Sequence, residues 1–333
     1  MSVRSLAIRG LAGMLYHSRL LGAVSSAAAL RRAPGFAILT FHRINDEDDA
    51  FLPAMPTAVF AARMAHIARH YVVLTVEDLT ERLQRGRLPR RAVALTFDDG
   101  YRDNLTHAAP ILARYGLPAT IFVATGYIGT PELPWFDRLA LAVKAATRPD
   151  LPLTAERILP LGSTPARLQA LDEALRHLKR LPDEERRRQL EPLIAALRPG
   201  APERPKRFML TWDEVDALRG LGFSIGAHTV SHPILSRVSP NQAWQEIHGS
   251  KLAIEKALGT SPRAFAYPNG GPDHYNETVT RLVGQAGFTC AVTTRRGLNT
   301  PSTPTLELRR GGPWEQDLPT YALKLARYQL TGA

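Results

Sequence analysis

The sequence predicts an α/β fold: a parallel sheet whose strands alternate with helices, interrupted by a helical insertion. Three observations predict it. Short apolar runs rich in strand formers recur between stretches of helical periodicity. Two of these runs, 92–97 and 223–227, lead straight into Asp98-Asp99 and into His228, and a parallel sheet brings strand C-termini to one edge. Between about 132 and 208 the alternation stops, and a Leu-, Ala- and Arg-rich stretch with prolines at 182, 192, 199, 202 and 205 takes over.

Taken in order, residues 1–34 form a basic amphipathic segment. Residues 1–45 hold six arginines (4, 9, 19, 31, 32 and 43) and no acid, about half of the chain's net charge of +11. Leu11, Met14, Leu15 and Leu21 can share one helical face with Arg9 pointing away, which suits contact with an anionic membrane surface and equally suits a helix packed on the barrel. The apolar stretch between Arg9 and His17 is too short to span a bilayer, and His17 and Arg19 interrupt it as a signal peptide. A cytoplasmic location, or one peripheral to the inner membrane, is therefore expected. From 35 to 333 a second region carries the alternation. Strands are expected near 36–41, 71–74, 92–97, 118–123, 223–227, 263–267, 288–293 and 305–308. Helices are expected near 58–70, 76–84, 103–115, 211–220, 240–258 and 275–286, the fifth closed by Gly259. The insertion should hold helices over 164–181 and 183–197, with Glu184-Glu-Arg-Arg-Arg188 as a solvated face. It either caps the active site or serves as a spacer.

At 333 residues, 44% apolar and 22% charged, the chain can bury a large core. The single cysteine, Cys290, rules out an internal disulfide and any cysteine-rich metal site, and its apolar surroundings read as core. The basic charge raises the question of nucleic acid, but neither zinc-finger spacing nor an aromatic–basic RNA signature accompanies it.

The chemistry lies in Thr96-Phe-Asp-Asp-Gly-Tyr101 and His228-Thr-Val-Ser-His232. Adjacent carboxylates at a strand mouth repel each other unless a cation or a shared proton relieves them. Two histidines four residues apart, if on one helical turn, face the same side and can grip one metal ion. One carboxylate with two histidines leaves coordination positions open for water and substrate, as a hydrolytic site requires.

Thr96-Phe-Asp-Asp-Gly followed by His228-Thr-x-x-His232 resembles the NodB-homology polysaccharide deacetylases, a carbohydrate esterase family. Ile38-Leu-Thr-Phe-His-Arg43, Ala119-Thr-Ile-Phe-Val123 and Phe265-Ala-Tyr-Pro-Asn-Gly270 resemble further family motifs, so the likeness runs from about 35 to 310. The resemblance implies a distorted (β/α) barrel. It implies that Asp99, His228 and His232 bind one divalent metal, commonly Zn2+, that Asp98 is the general base, and that backbone near Asn269 stabilises the oxyanion.

Two departures stand out. The family's third motif carries an arginine that holds the catalytic aspartate, and here Ala266 occupies that place. Arg309 or Arg310 could reach in instead, or both could be surface residues. The late histidine that supplies the family's general acid is absent, since no histidine follows His274. His42, ending the first strand, is the expected substitute; a structural histidine, or Asp137 in that role, are the alternatives. Trp135 and Asp137 suit sugar stacking and hydroxyl binding, unless the aromatics of Leu133-Pro-Trp-Phe-Asp137 are core, and Tyr267 and Asn269 are expected at the substrate.

The expected function is hydrolysis of an N-acetyl or other N-acyl group on an amino sugar of a bacterial surface polysaccharide or glycolipid. The expected partner is an N-acetylated glycan or a lipid-linked sugar, with membrane contact through residues 1–34. The rivals are a deformylase or amidase acting on a lipid-linked amino sugar or other amide, and a glycan-binding homologue without activity.

Overall fold

The computed structural model describes residues 10–16, 18, 35–200, 207–315 and 317–331. Its first strands and helices are β1 (Phe36–Phe41), α1 (Thr57–His70), β2 (Val72–Val73), α2 (Val76–Gln84) and β3 (Ala92–Phe97). A π-helical turn, Asn104–Ala108, runs into α3 (Ala109–Arg114), followed by β4 (Thr120–Val123) and α4 (Trp135–Lys144). The chain continues through β5 (Asp150–Pro152), β6 (Ile158–Pro160), α5 (Thr164–Arg180), α6 (Asp183–Ala196), α7 (Trp212–Gly220) and β7 (Ser224–Ala227). It ends with α8 (Pro240–Leu258), β8 (Ala264–Ala266), α9 (Glu277–Gln285), β9 (Cys290–Val292) and α10 (Leu318–Thr331).

The main sheet is parallel throughout, in the order β1-β3-β4-β7-β8-β9, with β2 added beside the start of β3. Every residue of β1, β3 and β4 is buried, because helices cover one side of the sheet and the curl of the sheet covers the other. The sheet curls until the 308–311 segment bridges its two edges. Leu308 exchanges backbone hydrogen bonds with Ala291 and Thr293 beside β9, and Gly311 N–H donates to Ile38 O of β1 at 2.9 Å. The fold is thus a curled (β/α) barrel, with its strand C-termini converging on one mouth.

The strand expected over 305–308 is a 3-10 turn, Thr305–Glu307, and only Leu308 bridges to Val292. Pro304 fixes the turn, accepting the Glu307 N–H at its carbonyl. Pro110 lacks an N–H inside the expected 103–115 helix, and the helix opens as a π-turn there. α8 closes at Gly259, left-handed with φ 68°.

Residues of α4, α5, α6 and the β5–β6 hairpin pack on one another through a hydrophobic cluster of their own, containing Leu139, Leu151, Leu171, Leu178 and Leu190. The barrel core is a separate cluster around Phe60, Phe97, Ile121 and Phe265. Near the N-terminus, residues 10–16 are helical; Ala12 is buried and Tyr16 lies 5.7 Å from the His66 ring, while Leu11 and Met14 are exposed. Arg4, Arg9, Arg19, Leu21, Arg31 and Arg32 lie outside the described residues. Among the described residues no helix is long and apolar enough to cross a membrane. Cys290 is buried in β9.

Candidate active site

The barrel mouth gathers the residues that follow β1, β3, β7 and β8. Asp98 and Asp99 follow β3, and both are almost wholly buried. Asp98 N–H donates to Phe41 O at 3.1 Å, tying its backbone to β1. Asp99 sits at φ 73°, a left-handed conformation that a non-glycine residue adopts only when its surroundings enforce it. Gly100 follows at φ 87°, where a Cβ would meet Ile128 Cδ1 at 2.8 Å, so both the turn and its packing require glycine.

His228 and His232 do not share a helical turn. They flank a tight loop after β7 in which Thr229 (φ 66°) and His232 (φ 56°) are left-handed. The loop is held from all sides. Glu246 on α8 accepts the N–H groups of Val230 and Ser231 at 2.9 and 2.8 Å and the Ser231 hydroxyl at 2.6 Å. Thr229 Oγ1 accepts the His232 N–H at 3.0 Å. Gly126 N–H donates to Val230 O at 2.8 Å, and a Cβ on Gly126 would sit 2.7 Å from that oxygen. The result still brings both rings to one side, their centroids 4.8 Å apart.

Asp99 Oδ1 lies 3.3 Å from His232 Nε2 and 3.6 Å from His228 Nε2. Ligand bonds of about 2.0–2.2 Å in a tetrahedral shell put donors roughly 3.3–3.6 Å apart. Asp99 Oδ1 is buried with no hydrogen-bond partner. An orphaned carboxylate oxygen facing two imidazole nitrogens is the donor set a divalent cation needs, so these residues fit a metal. The His228 Nδ1–H donates to Ala266 O at 2.7 Å, which leaves the Nε2 lone pair free for a ligand bond. Burial pushes His228 down to about 4 and His232 well below its ordinary value, keeping both neutral. Burial also raises Asp99 to about 7; the nearby His42 works against this, and Asp98 and Asp137 add to it. A bound cation reverses that logic and holds the carboxylate ionised.

Asp98 is held by Arg310, whose Nη1 and Nη2 donate to Oδ1 and Oδ2 at 2.7 and 2.6 Å. Burial alone would raise the Asp98 pKa, but the guanidinium outweighs it and keeps the carboxyl well below the usual range. Arg310 is itself anchored, its Nε donating to Thr293 O at 3.0 Å. Of the two arginines the sequence offers for this role, Arg309 is exposed and turns away, its side chain against Gly297 and its backbone paired with Asn299. The segment is extended here, so neighbours point to opposite sides, and Arg310 shares the inward parity of Leu308.

His42 follows β1. Its side chain is 53% exposed and its Nε2 lies 3.9 Å from Asp98 Oδ2, so it is not a buried structural histidine. Asn269 is left-handed (φ 59°), with its carbonyl accepting the Thr294 hydroxyl at 2.7 Å and its buried Nδ2 unpartnered.

Three expected substrate contacts are corrected. The Tyr267 side chain is in the core, stacked 4.5 Å from the Tyr275 ring and donating its hydroxyl to Leu306 O at 2.9 Å. Trp135 is buried under the Arg186 guanidinium, and its Nε1–H donates to His232 O at 3.3 Å. It steadies the loop that carries His232 and leaves no open face for a sugar. Asp137 is buried and accepts the Tyr101 hydroxyl at 2.8 Å; burial raises its pKa to about 7. All three follow from close packing, which uses aromatics beside the mouth as walls.

Several site residues were missed in the sequence. Glu246 reads there as an ordinary helix acid. Arg43, recognised only as part of a motif, donates its Nε to Asp103 Oδ2 at 3.1 Å, and Asn45 binds the same oxygen at 2.9 Å. The helical layer also reaches the site: Arg187 donates to Ser231 Oγ at 3.2 Å, Lys179 feels the charge of Asp99, and His232 feels that of Lys179.

Residues 85–291 match the family model for polysaccharide deacetylases. YxkH of Bacillus subtilis, whose name places it in that family, is 22% identical over 262 residues, covering 78% of this chain and 64% of YxkH. The poly-β-1,6-N-acetyl-D-glucosamine N-deacetylase of Escherichia coli K12 is 31% identical over 101 residues, 29% of this chain and 15% of that protein. The chain thus spans less than two thirds of the length of either relative. Among solved structures, the Streptococcus pyogenes deacetylase PplD in complex with acetate superposes with a TM-score of 0.59 at 22% identity, over 89% of this chain and 99% of that one.

Proposed function

The chain belongs to the polysaccharide deacetylase family, and we propose that it is a metal-dependent hydrolase that removes an N-acetyl, or another N-acyl, group from an amino sugar of a bacterial surface polysaccharide or glycolipid. One observation carries this reading: an orphaned carboxylate oxygen of Asp99 faces His228 and His232 beside a clamped Asp98, at one barrel mouth. The N-acetylglucosamine polymer named for the Escherichia coli relative supports the amino-sugar class.

Asp99, His228 and His232 would hold the cation, most simply Zn2+ given one carboxylate and two imidazoles. When bound, it supplies Lewis-acid polarisation of the amide carbonyl and brings a water's pKa from about 16 to roughly 7. Asp98 is placed to accept a proton from the attacking water. The Arg310 fork keeps it ionised and fixes both oxygens, so geometry is set before substrate arrives. Backbone around Asn269 donates to the oxygen on which charge develops, a contact realised only in the transition state. His42 hands a proton to the departing amine; its distance of 3.9 Å from Asp98 supports a role at the same reacting centre. The products are a free amine and a carboxylate.

Acetate release from N-acetylglucosamine oligomers, with and without chelator, tests the reading. Chelator-sensitive release is the result expected. Full metal occupancy with no release from N-acetyl or N-formyl amino sugars, polymeric or lipid-linked, would favour the glycan-binding alternative. A lipid-linked substrate is the second form of the same chemistry, favoured by the arginines of residues 1–34 as a peripheral contact with an anionic membrane.

A further inference from the structure

A cavity of about 250 Å³ opens beside His42, lined by the 53–56 run, His42, Arg43, Val59, Arg63 and Trp314. No carboxylate lines it, and two guanidinium groups do. Arg43 is neutralised by Asp103 at 3.1 Å. Arg63 is not neutralised in this way. It is 2% exposed and makes no ion pair with a carboxylate among the described residues. Its Nη2 donates to the Glu315 carbonyl at 2.6 Å, its Nη1 reaches only the weak acceptor Met55 Sδ at 3.5 Å, and its Nε has no partner. The guanidinium lies 4.5 Å over the Tyr321 ring. The Glu315 carboxylate, whose charge Arg63 feels without an ion-pair contact, has one oxygen paired with Lys324 and the other buried without a hydrogen-bond partner.

A desolvated cation with no carboxylate in hydrogen-bond contact is costly, and a group that makes that contact on arrival gains affinity from the cost it removes. A planar guanidinium matches phosphate and carboxylate, which accept its parallel N–H groups two at a time. Trp314, 52% exposed at the rim, offers a flat apolar face beside the charge. His42 is shared between this cavity and the metal donors' mouth, which ties the two spaces together.

We propose that this pocket holds an anionic group of the substrate, a phosphate or a carboxylate carried within about one sugar ring of the scissile amide, against Arg63. The inference deepens the deacetylase reading and rests on it. It distinguishes substrates: a neutral homopolymer would leave Arg63 uncompensated, whereas a sugar phosphate or an acidic glycan would not.

Calorimetric titration of the metal-loaded full chain tests it, with three probes: N-acetylglucosamine, N-acetylglucosamine 1-phosphate and N-acetylglucosaminuronic acid. At least one charged sugar should bind roughly tenfold or more tightly than the neutral one, the worth of one or two charged hydrogen bonds. The tighter of the two identifies the source of the charge. Arg63→Gln should remove the preference while bound metal content stays stoichiometric. Should that variant fail to fold, Arg63→Lys keeps the charge, loses the fork and should still cut the preference several-fold. Equal binding of charged and neutral sugars, no binding of any, or a preference that survives both variants overturns the proposal. Acetate release measured alongside separates the two readings. Release without an anion preference overturns the pocket and leaves the deacetylase; a preference lost in Arg63→Gln without release does the reverse.

Discussion

Arg310 reaches across 212 residues of sequence to clamp Asp98 with two parallel hydrogen bonds of 2.7 and 2.6 Å. The arginine comes from the segment that seals the barrel, so closure of the sheet and orientation of the proposed base depend on one segment. Replacing Arg310 with Ala leaves a buried carboxylate unpaired and should cost about 3–5 kcal/mol of stability. The Asp98 pKa is depressed in the folded protein, so its stabilisation is present above the ordinary carboxylate value near 4 and is lost as pH falls below it. In Arg310→Ala the pKa rises, and the acid limb of the pH–rate profile should move upward by about 1–3 units. An unmoved limb, measured on the folded fraction, would separate Arg310 from the base.

Asp98→Asn should keep the metal and lose turnover by about 10²–10⁴. The amide is isosteric but cannot accept the proton. Elemental analysis beside kcat decides it, and activity near wild type removes Asp98 from the role.

The loop between the two histidines depends on Glu246 more than on its own sequence. Glu246→Ala frees two half-buried N–H groups and the Ser231 hydroxyl. Metal affinity should fall by about 10–100-fold, with the ligand residues intact. Competition with a chromogenic chelator gives the number; wild-type affinity would mean that the loop holds its shape unaided.

His42→Ala should slow the reaction with metal content unchanged, by about 10²-fold or more. A normal rate would return His42 to a bystander at the mouth.

The stability gained from metal should depend on pH in a predictable direction. Without a cation, Asp99 has its pKa raised to about 7 by burial. Its ionisation then opposes folding between about pH 4 and 7, while His228 and His232, held neutral by burial, add stability as pH rises towards their ordinary value; the increment gained from metal, and not the melt of the chelated protein by itself, therefore reports Asp99. Metal should restore stability most at the upper end. Thermal melts at pH 5 and 8, with and without chelator, read this; equal metal effects at both would show that Asp99 is no ligand.

What was legible in the sequence is what local pattern controls. The strands 36–41 and 92–97 and the helices 76–84 and 240–258 fall where periodicity and end signals place them. The motif residues Asp98, Asp99, His228 and His232 do meet at one mouth. The shape that brings the histidines together was not legible, because two left-handed non-glycine residues are enforced by Glu246, Gly126 and Trp135 from distant segments. Arg310 was half legible. Leu306 and Leu308 set the inward parity of their segment, and extending it by two selects Arg310 over Arg309. Tyr267, Trp135 and Asp137 were misread because a polar or aromatic residue beside a site can equally be the wall that shapes it.

The most direct test of the account is metal content measured with turnover in wild type, Asp98→Asn and His228→Ala. The account predicts one equivalent of metal with chelator-sensitive acetate release in wild type, full metal without turnover in Asp98→Asn, and loss of both in His228→Ala. Undiminished metal and activity in His228→Ala would contradict it.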